Sequence, residues 1–284
     1  MATFTNQATL SYRNNVVNSN VVTGEVVDSL AMTKNPLLST YGHDDTVTYV
    51  INITNSGATA LSGLVLTDDL GAYDFGGGTV TPLTYVDGTV NYYVDGALQP
   101  TPTVVAGPPL VISGISVPAG ANALVIYQAN VNEFAPLSAD STITNTATLT
   151  GEGVAQVATA SATITVTNEP DLAIYKAICP TVVSENGQLT YTFTILNYGN
   201  TAAVATDNVV ITDTFEPILN ITSVTYNGTA WTEGVQYNYD NATGSFATVA
   251  GQITVPAATY VQDAVTGAWT TVPGEAIVTV TGTV

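Results

Sequence analysis

The sequence predicts an all-β protein of two tandem sandwich domains, and three observations lead there. Val, Thr, Ile and Tyr dominate the 284 residues, Gly and Pro punctuate at short intervals, and no long stretch has helical apolar spacing. With 45% apolar residues the chain has enough material for two buried cores. It also repeats itself in a fixed order of strand-like segments, the mark of duplicated domains.

The repeat opens with LAMTK (Leu30 to Lys34), which returns as LAIYK (Leu172 to Lys176). Each is followed by a turn and a strand, DTVTYVINITNSG and then GQLTYTFTILNYGN. Next come LVLTDDL (Leu64 to Leu70) and VVITDTF (Val209 to Phe215), and later ALVIYQANV (Ala123 to Val131) and AIVTVTGTV (Ala276 to Val284). The spacing between copies widens along the chain, so the insertions are expected in loops. The first copy continues with ITNTATLTGEGVAQVATASATITV (Ile143 to Val166), for which the second has no counterpart before Val284. The counterpart stands at the front, FTNQATLSYRNNVVNSNVVTGEVV (Phe4 to Val27).

The expected organisation is therefore a donor segment at 1–27, a complete sandwich at 28–167 and a sandwich without its final strands at 168–284. An incomplete sandwich exposes an unpaired edge, a state proteins avoid. The front segment is expected to close the second domain of a neighbouring molecule. Repeated, this heterologous contact builds a head-to-tail homopolymer, an open filament unless the rotation closes a ring. Two alternatives remain: the segment folds back onto its own second domain, or the chain is cut from a longer array.

Lysine is rare here. The only two, Lys34 and Lys176, occupy equivalent positions. Strand alternation places Lys34 with Leu30 and Met32, and Lys176 with Leu172 and Ile174, on the core face. The same phase turns Asp68, Asp213, Asn145 and Asn6 inward. Burial drives a lysine towards its neutral, nucleophilic form and a carboxyl towards its protonated form. Attack of such a lysine on the Asn side-chain carbonyl, assisted by the acid, expels ammonia and leaves an isopeptide bond, a single event without turnover. Lys34, Asp68 and Asn145 form an intramolecular set. Lys176 and Asp213 find their asparagine, Asn6, on the donated strand, making an intermolecular bond. The simpler alternative is a buried ion pair with Asn as a hydrogen-bond partner. Recurrence of all three residue types beside so few lysines favours the bond.

The motifs LAxxK, TYxxxIxNxG, xxTDxL and TNxATL, as they stand here, resemble the bacterial surface conserved repeat domain, also called domain of unknown function 11, over nearly the whole chain. The resemblance implies immunoglobulin-like sandwiches on cell-surface or spore-surface proteins. It also implies Lys, Asp and Asn positions like those of self-crosslinking domains in Gram-positive surface fibres. Anchoring or tip proteins are further partners expected of such a fibre. Family stalks are made of whole domains, and the permuted end departs from that pattern.

Other functions find little footing. A net charge of -19 repels nucleic acid and anionic membranes. No apolar run approaches the ~20 residues of a membrane span, and MATFTNQATL lacks the basic start and apolar core of a secretory signal. No Ser-His-acid set, phosphate loop or zinc spacing occurs, so neither an enzyme nor a cofactor or metal is expected. His43, Asp44 and Asp45 read as a solvated turn, Cys179 as a buried inert thiol, and Asn55-Ser56-Gly57 and Asn197-Tyr198-Gly199 as hairpin turns. The rival function is an adhesin that offers the loops Tyr73 to Gly78 and Tyr237 to Gly244 to a glycan or protein. The expected location is extracellular, at a cell or spore surface.

Overall fold

The computed structural model describes residues 2–26, 30–152, 154 and 157–284. Met1, Val27, Asp28, Ser29, Gly153, Ala155 and Gln156, which fall at the ends or inside of segments marked out in the sequence, lie outside the described residues. The described residues form strands throughout, with one 3-10 turn at Ala205–Asp207 and no α-helix. They divide into two compact units, Met1–Asn132 with Ile143–Ile164, and Glu133–Thr142 with Thr165–Val284. No helix among them is long and apolar enough to cross a membrane.

Unit 1 contains an immunoglobulin-like sandwich of two six-stranded sheets. The first runs in the order Ala97–Leu98, Asn91–Val94, Asn122–Val131, Thr46–Asn55 and Leu30–Pro36, with Leu83–Tyr85 also paired to Asn122–Val131. The second runs Thr103–Val105, Leu110–Val117, Leu61–Asp68, Thr142–Thr150, Ala158–Val166 and Thr40–Tyr41. Alternation is regular: in Thr46–Asn55 every second residue from Val47 is buried. Ile51, Ile53 and Val125 of one sheet and Leu64, Leu66, Ile112 and Leu149 of the other are fully buried and make the core.

Four strands near the N-terminus stand apart from this sandwich. Ala2–Asn6 pairs with Val22–Val26, and Thr9–Tyr12 with Asn15–Asn18. The inner hairpin turns at Arg13 and Asn14, both at positive φ, as a two-residue turn matched to strand twist requires. Among the described residues these strands pair only with one another, and Phe4, Leu10, Tyr12, Val16, Val17 and Val22 are exposed. The ribbon is an arm with an apolar surface and no core of its own.

Unit 2 repeats the first sheet of unit 1 well and the second poorly. Its main sheet is Leu172–Cys179, Gln188–Asn197, Gly274–Thr283, Asn220–Tyr226 and Thr229–Ala230. Opposite stand only Thr212–Thr214, Ser245–Thr248 and Tyr237–Asp240, and a separate ribbon joins Thr259–Gln262 to Trp269–Val272. Phe193, Ile195, Ile211, Phe246 and Val278 are buried between the layers. In unit 1 the acid-bearing strand Leu61–Asp68 has partners on both edges, Leu110–Val117 and Thr142–Thr150. In unit 2 its counterpart shrinks to Thr212–Thr214 and pairs only with Ser245–Thr248. A strand held from one side loses half its ladder, which accounts for the shortening.

Three expectations need correction, those on Cys179, on the two Asn-x-Gly turns and on the display loops, whereas the solvated turn at His43 stands as read. Cys179 is exposed, because the strand that carries it lies at the edge of its sheet. Asn55 and Asn197 do turn the chain, each Oδ1 accepting from the amide of Gly57 or Gly199, but the strands on either side lie in different sheets, so the turns are not hairpins. Each is buried, Asn55 donating to Thr59, Val117 and Pro118 carbonyls, Asn197 to those of Thr201 and Pro256. The segments expected as display loops are largely paired, Tyr73–Phe75 with Gly78–Val80 and Tyr237–Asp240 with Ser245–Thr248. His43 is exposed, with Nδ1 2.9 Å from Asp44 Oδ2.

Candidate functional site

In unit 1 the three residues singled out by the repeat converge between the sheets. Lys34 is brought by the edge strand of the first sheet, opposite Ile51, and Asp68 by the acid strand, opposite Ala147. Asn145 is carried by the strand that closes the acid strand's second edge. Lys34 Nζ lies 2.7 Å from Asp68 Oδ2, and both side chains are 0% exposed. Asp68 Oδ1 accepts from the Leu70 amide, so the carboxylate cannot swing away. Burial lowers the pKa of Lys34 from its ordinary value, against the opposing attraction of Asp68 and Asp69.

A residue that sequence reading missed completes the set. The Tyr127 hydroxyl donates to Asp68 Oδ2 at 2.7 Å and accepts from Asn145 Nδ2 at 3.0 Å. An unbroken chain therefore runs from Lys34 through Asp68 and Tyr127 to Asn145. Tyr127 stacks on Tyr49, with ring centroids 5.5 Å apart, and Lys34 Nζ sits 4.8 Å from the Tyr49 ring centroid. The signal for Tyr127 was its core-facing place in ALVIYQANV, but one tyrosine among 15 does not announce itself. Asn145 Oδ1 is buried and accepts no hydrogen bond. An unpaired buried carbonyl costs about 1–3 kcal/mol. It belongs to the group the lysine would attack.

In unit 2 the same first two residues meet under different conditions. Lys176 pairs with Asp213 Oδ2, but their side chains are 42% and 18% exposed. That oxygen is buried and has the lysine as its only polar partner. Lys176 Nζ stands 4.5 Å from the centroid of Tyr191, the counterpart of Tyr49. Asn6, expected as the third member, lies exposed on the arm. Beside the pair, Leu172, Ala173, Ile174, Ile195, Val209, Val210 and Ile211 line an apolar groove of about 170 Å³. In unit 1 the corresponding ground is covered: Leu149 lies beside Leu66, the counterpart of Ile211, and both are fully buried.

No protein-family model and no curated protein matches the chain. Among solved structures it is similar to the pilus backbone RrgB from Streptococcus pneumoniae (11% identity over 86% of this chain and 49% of that one, TM-score 0.35). It is also similar to BcpA, the major pilin subunit of Bacillus cereus (13% identity, 75% of this chain and 69% of that one, TM-score 0.36). A third is the collagen-binding domain from a Staphylococcus aureus adhesin (15% identity, 51% of this chain and 100% of that one, TM-score 0.30).

Proposed function

We propose that the protein is a structural filament subunit that polymerises head to tail, its N-terminal arm completing unit 2 of the next copy, with Lys34–Asn145 and Lys176–Asn6 isopeptide bonds locking the assembly. One observation carries this reading: arm and groove are complementary. The arm's FTNQATL matches ITNTATL of the Thr142–Thr150 strand, its strands pair, among the described residues, only with one another, and it exposes apolar side chains. Unit 2 is open where that hairpin sits in unit 1.

The energetics support docking. A free two-stranded ribbon is marginal in water, and a contiguous exposed apolar face marks a contact surface. Matched to the unit 1 hairpin, Ala8 and Leu10 take the places of Ala147 and Leu149, and Asn6 that of Asn145. Burying Leu10 alone contributes about 1.5–3 kcal/mol, and each ladder hydrogen bond gained by the acid strand adds about 0.5–1.5 kcal/mol. Docking also removes water from Lys176 and Asp213, which brings them towards the conditions of Lys34 and Asp68. The intermolecular bond is then a consequence of assembly and does not precede it.

The crosslinks are single events, so the protein acts as material and not as a catalyst. Homopolymer contacts are its main partnership, with anchoring or tip proteins at the ends. With three Lys and Arg residues in the whole chain, trypsin-like proteases find few cleavage sites, which suits a filament exposed at a cell or spore surface. Electron microscopy of the purified chain, with and without residues 1–27, tests the assembly. Filaments are expected only from the intact chain, and filaments from the truncated chain would rule out strand donation.

A further inference from the structure

The two sites differ by a coordinated exchange. Tyr127 faces Tyr49 across the ladder of unit 1, and the residue in the same position facing Tyr191 in unit 2 is Val280. Leu70, two residues past Asp68, is replaced by Phe215, two past Asp213. The Phe215 ring stacks on Tyr191 at 4.9 Å, as Tyr127 does on Tyr49 at 5.5 Å. Lys176 Nζ lies 5.5 Å from the Phe215 centroid and Lys34 Nζ 5.9 Å from that of Tyr127. An aromatic ring thus fills the same space in both units, supplied by a different segment, the residue after Thr212–Thr214 in unit 2. A large and a small side chain have changed places, which keeps the core filled. What unit 2 lacks is the hydroxyl.

Resting on the reading that Lys34 and Asn145 join, we infer that Tyr127 is the proton relay of the unit 1 reaction, and that unit 2 joins more slowly because it has none. The chemistry takes two protons from Nζ, one to the leaving nitrogen and one that ends on Asp68. Lys34 first gives a proton to Asp68 and becomes neutral. Its Nζ attacks Asn145 Cγ, and the C–N bond forms as the carbonyl π pair moves to Oδ1. For the tetrahedral centre to collapse, Nδ2 must leave as ammonia and not as an amide anion. Tyr127 touches both the donor carboxyl and the leaving nitrogen. Its hydroxyl proton passes to Nδ2 while Asp68 returns one to the phenol oxygen. The C–Nδ2 bond breaks, the oxyanion pair restores the carbonyl, and Asp68 takes up the surplus proton on Nζ. Lysine amine and asparagine amide become a secondary amide and ammonia, and Tyr127 is unchanged. Burial raises the pKa of Tyr127 well above the ordinary phenol value, so the hydroxyl keeps its proton for this role.

The test uses the full chain with Asn6→Ala, so that only the unit 1 bond can form, synthesised cell-free, quenched in acid at timed intervals and read by intact mass. Tyr127→Phe keeps the ring and removes the relay. The expected result is ammonia loss slowed by about 100-fold or more, the usual contribution of a positioned acid-base group. A solvent deuterium isotope effect should be present with Tyr127 and lost with Phe, which a packing role would not produce. An unchanged rate in Tyr127→Phe overturns the relay while leaving the bond intact. No ammonia loss even with Tyr127 present overturns the bond and the relay together. Should Tyr127→Phe fail to fold, the exchange made in unit 2 decides. In a chain that keeps Asn6, Val280→Tyr with Phe215→Leu is expected to speed the appearance of boiling-resistant multimers, and no acceleration would contradict the relay.

Discussion

Unit 1 and unit 2 present the same lysine and aspartate in two states, one sealed and one open. Lys34 and Asp68 are cut off from water, flanked by a strand that brings Asn145 and a tyrosine that links acid to amide. Lys176 and Asp213 share the ion pair and the aromatic support, yet water reaches them and the neighbouring groove is apolar and empty of protein. The difference teaches that the lysine strand and the acid strand do not by themselves make a closed site. The third strand does, because it supplies the asparagine, the second edge of the ladder and the cover in one piece.

The largest way to break the comparison is to remove the piece that would make the two units alike. Deleting residues 1–27 is expected to abolish filaments and leave unit 2 open in every molecule, with unit 1 unaffected, as measured by microscopy and by intact mass for the Lys34–Asn145 bond. Next come the lysines. Lys34→Met strands Asp68 in the core, and a buried carboxylate without its partner costs about 3–5 kcal/mol, so the melting temperature of unit 1 should fall steeply. In the arm-deleted chain Lys176→Met should cost under about 1 kcal/mol, because that pair is partly solvated. Equal losses at the two sites would contradict the sealed and open description.

Asn55→Ala and Asn197→Ala offer a control, since these buried asparagines brace both units alike. Each orphans several carbonyls and is expected to cost about 1–3 kcal/mol, to a similar degree in either unit. A smaller effect sharpens the contrast in pH response. Burial lowers the Lys34 pKa, so in a chain with Asn145→Ala, whose unit 1 bond cannot form, unfolding takes up a proton wherever pH lies between the folded value and the ordinary 10.5. The lysine contribution to stability should rise with pH in that window. Below pH 10 this is not masked by Tyr49, whose raised pKa keeps it neutral there in the folded state. Denaturant melts stepped through the pH range below 10.5 check the sign.

Much of this was legible because strand periodicity and an internal repeat act together. Alternation placed Lys34, Asp68 and Asn145 on core faces, and the repeat said which second-copy residues to compare with them. Asn6 could be matched to Asn145 because the flanking TNxATL pattern survives in both. Tyr127 was not legible, since its significance depends on a cross-sheet meeting with Asp68 that no local pattern encodes, and tyrosine is common on strands for packing reasons. The exchange with Val280 and Phe215 was hidden for the same reason: the two halves lie far apart in the chain. Asn55 and Asn197 were misread because Asn-x-Gly signals a turn without saying whether the following strand joins the same sheet or the opposite one. Cys179 was misread because the alternation that buries one face says little about the far end of an edge strand.

The most direct test of the central claim is denaturing electrophoresis of the purified chain after boiling, beside Asn6→Ala, with intact mass measured for every band. A ladder of multimers that the substitution removes, with one ammonia lost for each bond, is the expected result. A single monomer band at the unmodified mass in both proteins would contradict it, leaving Lys34–Asp68 and Lys176–Asp213 as ion pairs and no more.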